Sequence, residues 1–233
     1  MRVKINWLRH LSVLIMTIMI FTLGIFIGGD VEEMRVQNLY TQLQEQDVSY
    51  QSIVTESNYI DYMISEKEAG KNVSCQSITG AYYTSIKNLD DSRLKLENYI
   101  NTANVKEEEY ERLKEHYSNI QIDYWIMANK INNLCDANMY PVLYFYADEK
   151  KCPGCEDQGV HLSYTKAKLG DNILIFSLDS QKEGPIQLLA QQYDVNSREM
   201  PVIVIENQAY GFSKNEEIIK ILCEEGLNST NCN

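Results

Sequence analysis

An uncharged run of nineteen residues near the N-terminus, LSVLIMTIMIFTLGIFIGG at residues 11–29, constrains this chain more than any other feature. A helix of this length spans the hydrocarbon core of a bilayer, which is about 30 Å thick. Arg2, Lys4 and Arg9 precede the run, and acidic residues follow it from Asp30 onward. The positive-inside rule therefore predicts a single-pass cell-membrane protein with a cytoplasmic N-terminus and an extracytoplasmic C-terminal part.

A cleaved signal peptide is the competing interpretation of this run. The apolar region of a signal peptide is usually about 7 to 15 residues long and ends at a small-x-small site. The run here is longer, and no clear Ala-x-Ala pattern follows it. The prediction is therefore a retained signal anchor at residues 11–29, with residues 1–10 in the cytoplasm.

The part after the run is strongly acidic. Without the three N-terminal cations, 18 of the 21 lysines and arginines remain, against 33 aspartates and glutamates. Such a surface repels nucleic acid and anionic head groups, so no nucleic-acid partner is expected. Solubility is sufficient to explain the charge.

Residues 30–137 have a helical, coiled-coil-like pattern. Apolar residues recur at alternating spacings of three and four, most clearly from Tyr110 to Leu134. Breaks at KEAGKN and NTAN divide the segment into three helices, and Asn104 with Glu107 is typical of a capping box for the third. The prediction is a long helical hairpin or three-helix segment that holds the following domain away from the bilayer. A homodimer through this segment stays an open alternative.

All six cysteines follow the apolar run, on the side where disulfides are favoured over free thiols. Cys75 begins the second predicted helix and Cys135 ends the third. If these helices are antiparallel, the two cysteines meet at the same end of the bundle, and we predict a disulfide between them. Cys223 and Cys232 are predicted to form a clip that holds the C-terminal tail, residues 227–233.

After residue 137 the pattern changes to short β-rich runs. PVLYFYA at 141–147 and NILIFSL at 172–178 are nearly continuous apolar runs, as expected of strands buried on both faces. PVIVIE at 201–206 and AYGFS at 209–213 are separated by two residues and predict a hairpin. Helices are predicted between these runs and after them, from 152 to about 168, from Pro185, and from 215 to about 225. The order β-α-β-α-β-β-α predicts an α/β domain with a mixed sheet over residues 138–226.

The sequence CPGC at residues 152–155 falls where the first of these strands meets the first helix, and Met200-Pro201 opens the third strand. With this layout the chain resembles the thioredoxin superfamily over roughly residues 140–225. The resemblance implies a thioredoxin-like fold and a thiol-disulfide oxidoreductase that acts on protein thiols or disulfides. It also implies a redox partner that recycles the cysteine pair, and it requires no cofactor and no metal.

The position of Cys152 near a helix N-terminus favours its thiolate, so Cys152 is predicted to attack the substrate. Cys155, one turn further on, is predicted to be more buried and to resolve the mixed disulfide. Lys150 and Lys151 either support the thiolate or belong to a solvated loop. The resemblance further implies that Pro201 is a cis-proline beside the disulfide and that the backbone at Met200 binds the substrate chain. The redox hypothesis requires Pro201 near the sulfurs and Cys152 accessible to solvent.

Two features depart from the superfamily pattern. The first strand lacks the buried carboxylate that thioredoxins commonly hold beneath the second cysteine, and it offers Tyr144 or Tyr146 instead. The loop DEKK is slightly long, and no tryptophan precedes Cys152. Disulfide formation or exchange with a restricted set of substrates therefore fits better than general reduction.

Three other interpretations stay open. A zinc site needs two further ligands, and His161 is more typical of a surface histidine than of a ligand. The Cys152–Cys155 bridge can be purely structural. The whole domain can be a non-catalytic binding or scaffold module whose helical segment recognises a partner.

Overall fold

The computed structural model describes the backbone of residues 7–102, 107–148, 150–227 and 232, with side chains at 11–25, 51–90, 93–94, 111, 114–148, 150–227 and 232. The described helices are α1 (Trp7–Glu68), α2 (Cys75–Thr102), α3 (Glu107–Cys135), α4 (Cys155–Leu169), α5 (Pro185–Gln192) and α6 (Asn215–Glu224). The described strands are β1 (Tyr140–Tyr146), β2 (Ile173–Asp179), β3 (Val202–Ile205) and β4 (Gln208–Tyr210). Short 3-10 helices at Gly170–Asn172 and Val195–Ser197 precede β2 and β3.

The chain divides into two compact units, residues 1–51 and residues 52–233. In the first unit, the predicted span at 11–29 falls within α1, and the side chains described there are exposed. Among the described residues, no helix is both long enough and apolar enough to cross a membrane. The predicted transmembrane helix is therefore not supported in this part of the chain.

In the second unit, the end of α1 packs with α2 and α3 around a core of apolar side chains and two buried tyrosines. The hydroxyl of Tyr82 donates to the backbone oxygen of Tyr124 over 3.1 Å, and Ser85 Oγ donates to Glu56 Oε2 over 2.6 Å. The hydrogen bonds satisfy these polar groups inside the bundle. The predicted cap residue Asn104 lies outside the described residues. Buried apolar residues in the described parts of these three helices include Ile53, Ile60, Met63, Ile64, Ile78, Leu89, Ile120, Met127, Ala128 and Ile131.

The four strands form one mixed sheet in the order β2-β1-β3-β4. Strand β1 is parallel to β2 and antiparallel to β3, and β4 is antiparallel to β3. Side chains of β1 are buried on both faces, as the continuous apolar runs predict. Helices α4 and α6 cover one face, and α3 and α5 pack on the other side. The prediction of an α/β domain with a mixed sheet is confirmed.

Two local boundaries differ from the predictions. The hairpin between β3 and β4 turns at Glu206 and Asn207, one residue earlier than predicted. Both residues have positive φ, 45° and 67°, as a two-residue turn that matches the strand twist requires. Helix α4 begins at Cys155 rather than at Cys152, because residues 152–154 form a separate turn before it.

Helix α3 also closes an edge of the sheet. Strand β2 lies at this edge, so one side of its backbone has no partner among the described strands. The side-chain amide of Gln121 donates to the backbone oxygen of Ser177 over 3.0 Å and accepts from its backbone N–H over 2.8 Å. The helical segment and the sheet are therefore held together by hydrogen bonds that a strand would otherwise provide.

Candidate functional site

The CPGC turn links β1 to α4. The backbone N–H of Cys152 donates to Asp148 O over 2.9 Å, and that of Cys155 donates to Cys152 O over 3.2 Å. These bonds bring the two cysteines together with their Cα atoms 5.4 Å apart, and the sulfurs are bonded at 1.95 Å. The candidate site is therefore a disulfide at the carboxyl end of a buried strand.

The peptide bond between Met200 and Pro201 is cis. A Cβ atom at Gly154 would lie 3.6 Å from Cδ of Pro201, which places the proline ring beside the CPGC turn. The side chain of Met200 packs against the small buried cluster that contains Cys152 and Cys155. The structure thus brings together all four residues that the sequence and the resemblance assign to the site.

The burial of the two cysteines differs from the prediction. Cys152 is 1% exposed and Cys155 is 8% exposed, so the predicted order of burial is wrong. Because α4 begins only at Cys155, Cys152 lies in the preceding turn, in a small buried cluster with Ala147 and Cys155 against which Tyr146 and Met200 pack. The requirement that Cys152 be accessible is not met in this disulfide-bonded form.

The charges around the turn have both signs. Lys150 and Lys151 are exposed, as a solvated loop predicts. Glu156 and Asp157 occupy the first turn of α4 and place two negative charges close to the same helix end. A cationic environment that lowers a thiol pKa is therefore partly offset by two carboxylates.

Tyr144 occupies the position beneath Cys155 at which the sequence offers a tyrosine in place of a carboxylate. Its hydroxyl donates to the backbone oxygen of Cys155 over 2.5 Å. Burial raises the pKa of Tyr144 to about 12, so its hydroxyl stays protonated near neutral pH. The group is a neutral hydrogen-bond donor that fixes the start of α4.

Alkaline pH is expected to destabilise the protein through this tyrosine and through Tyr124, whose pKa burial also raises to about 12. A folded-state pKa above the usual tyrosine value means that stability is complete below pH 10 and is lost as the pH rises toward 12. Absorbance of tyrosinate at alkaline pH, recorded together with far-UV circular dichroism, tests this expectation. In the variant Tyr144→Phe, one tyrosine fewer should ionise as the pH rises toward 12. Complete ionisation of all tyrosines near pH 10 with the fold intact would contradict the prediction.

Sequence reasoning missed a charged pair beside Tyr146, whose ring packs on the cluster that contains the disulfide. Lys114 of α3 donates to Asp179 Oδ2 over 2.6 Å, with side chains 19% and 4% exposed. The ammonium of Lys114 also lies 5.4 Å from the ring centroid of Tyr146. Nothing in the sequence marks this lysine, because it belongs to a helix whose apolar pattern predicts only a bundle core.

A second missed residue is Gln158 of α4, which is fully buried. Its amide donates to Ser213 O over 3.0 Å and accepts from the Ser213 N–H over 2.8 Å. These bonds hold the segment between β4 and α6, and its Phe212 ring lies beside Gly154. One neighbour of the CPGC turn is therefore positioned by a buried glutamine.

The remaining cysteines form two disulfides. Cys75 and Cys135 are joined with Cα atoms 5.5 Å apart, and Cys223 and Cys232 are joined with Cα atoms 5.6 Å apart. His161 contacts Asn215 through its Nδ1 atom, 3.0 Å from Oδ1. Among the described residues, no group of histidine, cysteine and acidic side chains could hold a metal ion.

No protein-family model matches this chain, and no curated protein matches it at a significant level. Two solved structures are similar to part of it, each with 21% identity and a TM-score of 0.31. One is described as thioredoxin-2, a component of the malaria parasite protein secretion machinery; the match covers 37% of this chain and 82% of that chain. The other is described as a malarial protein, with 38% of this chain and 98% of that chain covered.

Proposed function

We propose that residues 138–226 form a thioredoxin-like domain and that the protein is a thiol-disulfide oxidoreductase acting on protein substrates. The observation that carries this proposal is the placement of the Cys152–Cys155 disulfide after a buried central strand, with Pro201 and Met200 beside it. A disulfide placed between a central strand and a helix, with an adaptable methionine at its side, combines a reactive bond with a surface for another chain.

In the proposed reaction, a substrate thiolate attacks Sγ of Cys152. The bond between the two site sulfurs breaks, a mixed disulfide forms, and Cys155 leaves as a thiolate. A second substrate thiolate then attacks the mixed disulfide and displaces Cys152. The substrate gains a disulfide and loses two electrons and two protons, which end as the two thiols of Cys152 and Cys155. A partner protein disulfide takes the electrons back and regenerates the site.

The proposed reaction requires the cover of Cys152 to move. Cys152 is 1% exposed, and Tyr146 and Met200 pack on the cluster that contains it, so side chains around the sulfur must move before a substrate thiolate can reach it. The backbone before Pro201 is proposed to bind the substrate chain as the cover opens. This requirement favours a restricted set of substrates, because a partner must displace these side chains in order to react.

We further propose an extracytoplasmic location with a membrane anchor at residues 11–29. All six cysteines are paired in disulfides, which is typical of oxidising compartments. The uncharged run and the basic residues before it motivate the anchor. Carbonate extraction of membranes tests the anchor, and labelling of intact cells by a membrane-impermeant maleimide after mild reduction of the disulfides tests the extracytoplasmic location.

A non-catalytic binding or scaffold module is the second candidate. The specific observation in its favour is the 1% exposure of Cys152, which is what a structural bridge requires. In that case the helical segment recognises the partner and the disulfide never turns over. The reduction potential discriminates, because structural disulfides typically lie below about −300 mV and exchanging ones lie above.

Mixed-disulfide trapping tests the catalytic proposal directly. The variant Cys155→Ser leaves Cys152 as a single thiol that can attack a substrate disulfide, the reverse of the exchange above, and it lacks the second cysteine that would then release the substrate. It should therefore accumulate covalent complexes with substrate proteins that are released by reduction. Cys152→Ser should trap far less, and the pair Cys223→Ser with Cys232→Ser serves as a control for incidental thiol capture. If Cys155→Ser captures no more protein than that control and the potential lies below about −300 mV, the scaffold candidate stands and the enzyme proposal fails.

A further inference from the structure

Tyr146 is the last residue of β1, and its side chain lies beside the buried cluster that contains the disulfide. Its ring packs on the cluster of Ala147, Cys152 and Cys155. Its backbone oxygen accepts from the backbone N–H of Ser180 over 2.8 Å and from Oγ of the same residue over 2.9 Å. These two bonds fix the backbone at Tyr146, so a movement of its side chain relative to the cluster requires rotation of the ring.

Lys114 from the helical segment contacts that ring. Its ammonium lies 5.4 Å from the ring centroid of Tyr146, within the range of a cation–π interaction. The same ammonium is held by Asp179, at 2.6 Å, and the carboxylate of Asp179 also accepts from the backbone N–H of Gln181 over 3.0 Å. Because this ion pair is largely buried, the cation has a fixed place against the ring.

The register of the sheet explains why these groups meet. Tyr146 and Asp179 are paired across β1 and β2 at the carboxyl ends of the two strands. Helix α3 crosses this end, where Gln121 already binds the edge of β2. A helix outside the β-rich domain thus places a cation next to the ring that packs on the cluster containing Cys152.

We propose that Lys114 is a positioning residue that holds Tyr146 over Cys152, so that α3 controls access to the disulfide. The proposal rests on the proposed exchange function for its biological meaning. Its physical content is independent of that function, because access of a small reductant to the same disulfide can be measured in any case.

A purely electrostatic role for Lys114 does not predict faster reduction of the disulfide when Lys114 is lost. A cation near the disulfide attracts an anionic thiolate and stabilises the thiolate that leaves. Losing the cation alone should then slow reduction by a thiol reagent, and losing it together with Asp179 should leave the rate nearly unchanged, because the pair carries no net charge. If Lys114 instead holds the ring of Tyr146 against the cluster, its loss lets this ring move, and reduction of the Cys152–Cys155 disulfide becomes faster. The direction of the change therefore separates the two roles.

The experiment measures how fast dithiothreitol reduces the Cys152–Cys155 disulfide in the full chain. Quenched samples are alkylated, and peptide mass spectrometry follows the cysteines of each bridge separately. The test variant combines Lys114→Met with Asp179→Asn, because the amide removes the charge that would otherwise stay buried without its cation. Lys130→Met is the matched control, since Lys130 of α3 forms an exposed ion pair with Asp61 at 2.6 Å.

We expect the double variant to be reduced about fivefold faster at Cys152–Cys155, the effect of losing one cation–π interaction. Lys130→Met should match the unmodified chain, and Tyr146→Ala should be faster still. Adding Tyr146→Ala to the double variant should give no further increase over Tyr146→Ala alone, because the cation then has no ring to hold. Unchanged reduction of Cys75–Cys135 in every variant shows that the fold is intact.

An unchanged or slower rate in the double variant overturns the proposal, as does full additivity with Tyr146→Ala. The proposed function is tested separately by trapping with Cys155→Ser. Faster reduction without any trapped substrate leaves the access role of Lys114 in place and rejects the enzyme. Trapped substrate together with an unchanged reduction rate supports the enzyme and rejects the access role of Lys114.

Discussion

Replacing Cys75 and Cys135 by alanine is expected to lower the free energy of unfolding of the full chain by about 4 kcal/mol. The bridge joins residues 60 positions apart, at the start of α2 and the end of α3. Without it, the unfolded chain gains the conformational freedom of a large loop, and this freedom is what the bond removes. For a unit of this size the midpoint of thermal unfolding should fall by roughly 10 °C. Urea denaturation under non-reducing conditions measures the effect.

The bridge between Cys223 and Cys232 supplies the control. It closes a separation of only 9 residues. The conformational entropy that a disulfide removes from the unfolded chain grows with the number of residues in the closed loop. Replacing these two cysteines by alanine should therefore lower the free energy of unfolding by about 1 to 2 kcal/mol less than replacing Cys75 and Cys135. A larger loss from the short bridge than from the long one would show that the entropy of the unfolded chain does not control the stabilisation.

Replacing Gln158 by leucine is expected to lower the free energy of unfolding by about 3 kcal/mol. The side chain is fully buried, and its amide forms one donor and one acceptor bond with the backbone of Ser213. Leucine has a similar volume but leaves the Ser213 N–H and C=O without these partners in a buried place. The cost is therefore dominated by two unsatisfied backbone groups rather than by a cavity. Equilibrium denaturation of both proteins measures the difference.

Gln191 offers a matched control, because it lies on the exposed side of α5. Gln191→Leu should change the free energy of unfolding by no more than about 0.5 kcal/mol. Equal losses for the two leucine variants would mean that the bonds to Ser213 contribute nothing net. In that case Gln158 would not be the residue that positions the segment containing Phe212.

Periodicity placed the long elements because a helix or strand of many residues repeats its signal many times. The start of α2 at Cys75 and the end of α3 at Cys135 coincide with the predicted positions. The continuous apolar runs of β1 and β2 correctly indicate strands buried on both faces. Where only one or two residues determine the boundary of an element, the predicted boundary was displaced. The β3–β4 turn is displaced by one residue, because positive φ at Glu206 gives no compositional signal.

In the candidate site, too, local sequence predicted some features and tertiary packing determined the others. Local sequence determined that two cysteines and a proline stand at the ends of buried strands, since spacing and hydrophobic pattern act over a few residues. Only the tertiary structure decided that Cys152 is covered and that Lys114 reaches Tyr146, because burial and charge proximity depend on which surfaces pack together. A lysine on a distant helix and a tyrosine at a strand end carry no mutual signal in one sequence. Their contact exists only after α3 has closed the edge of β2.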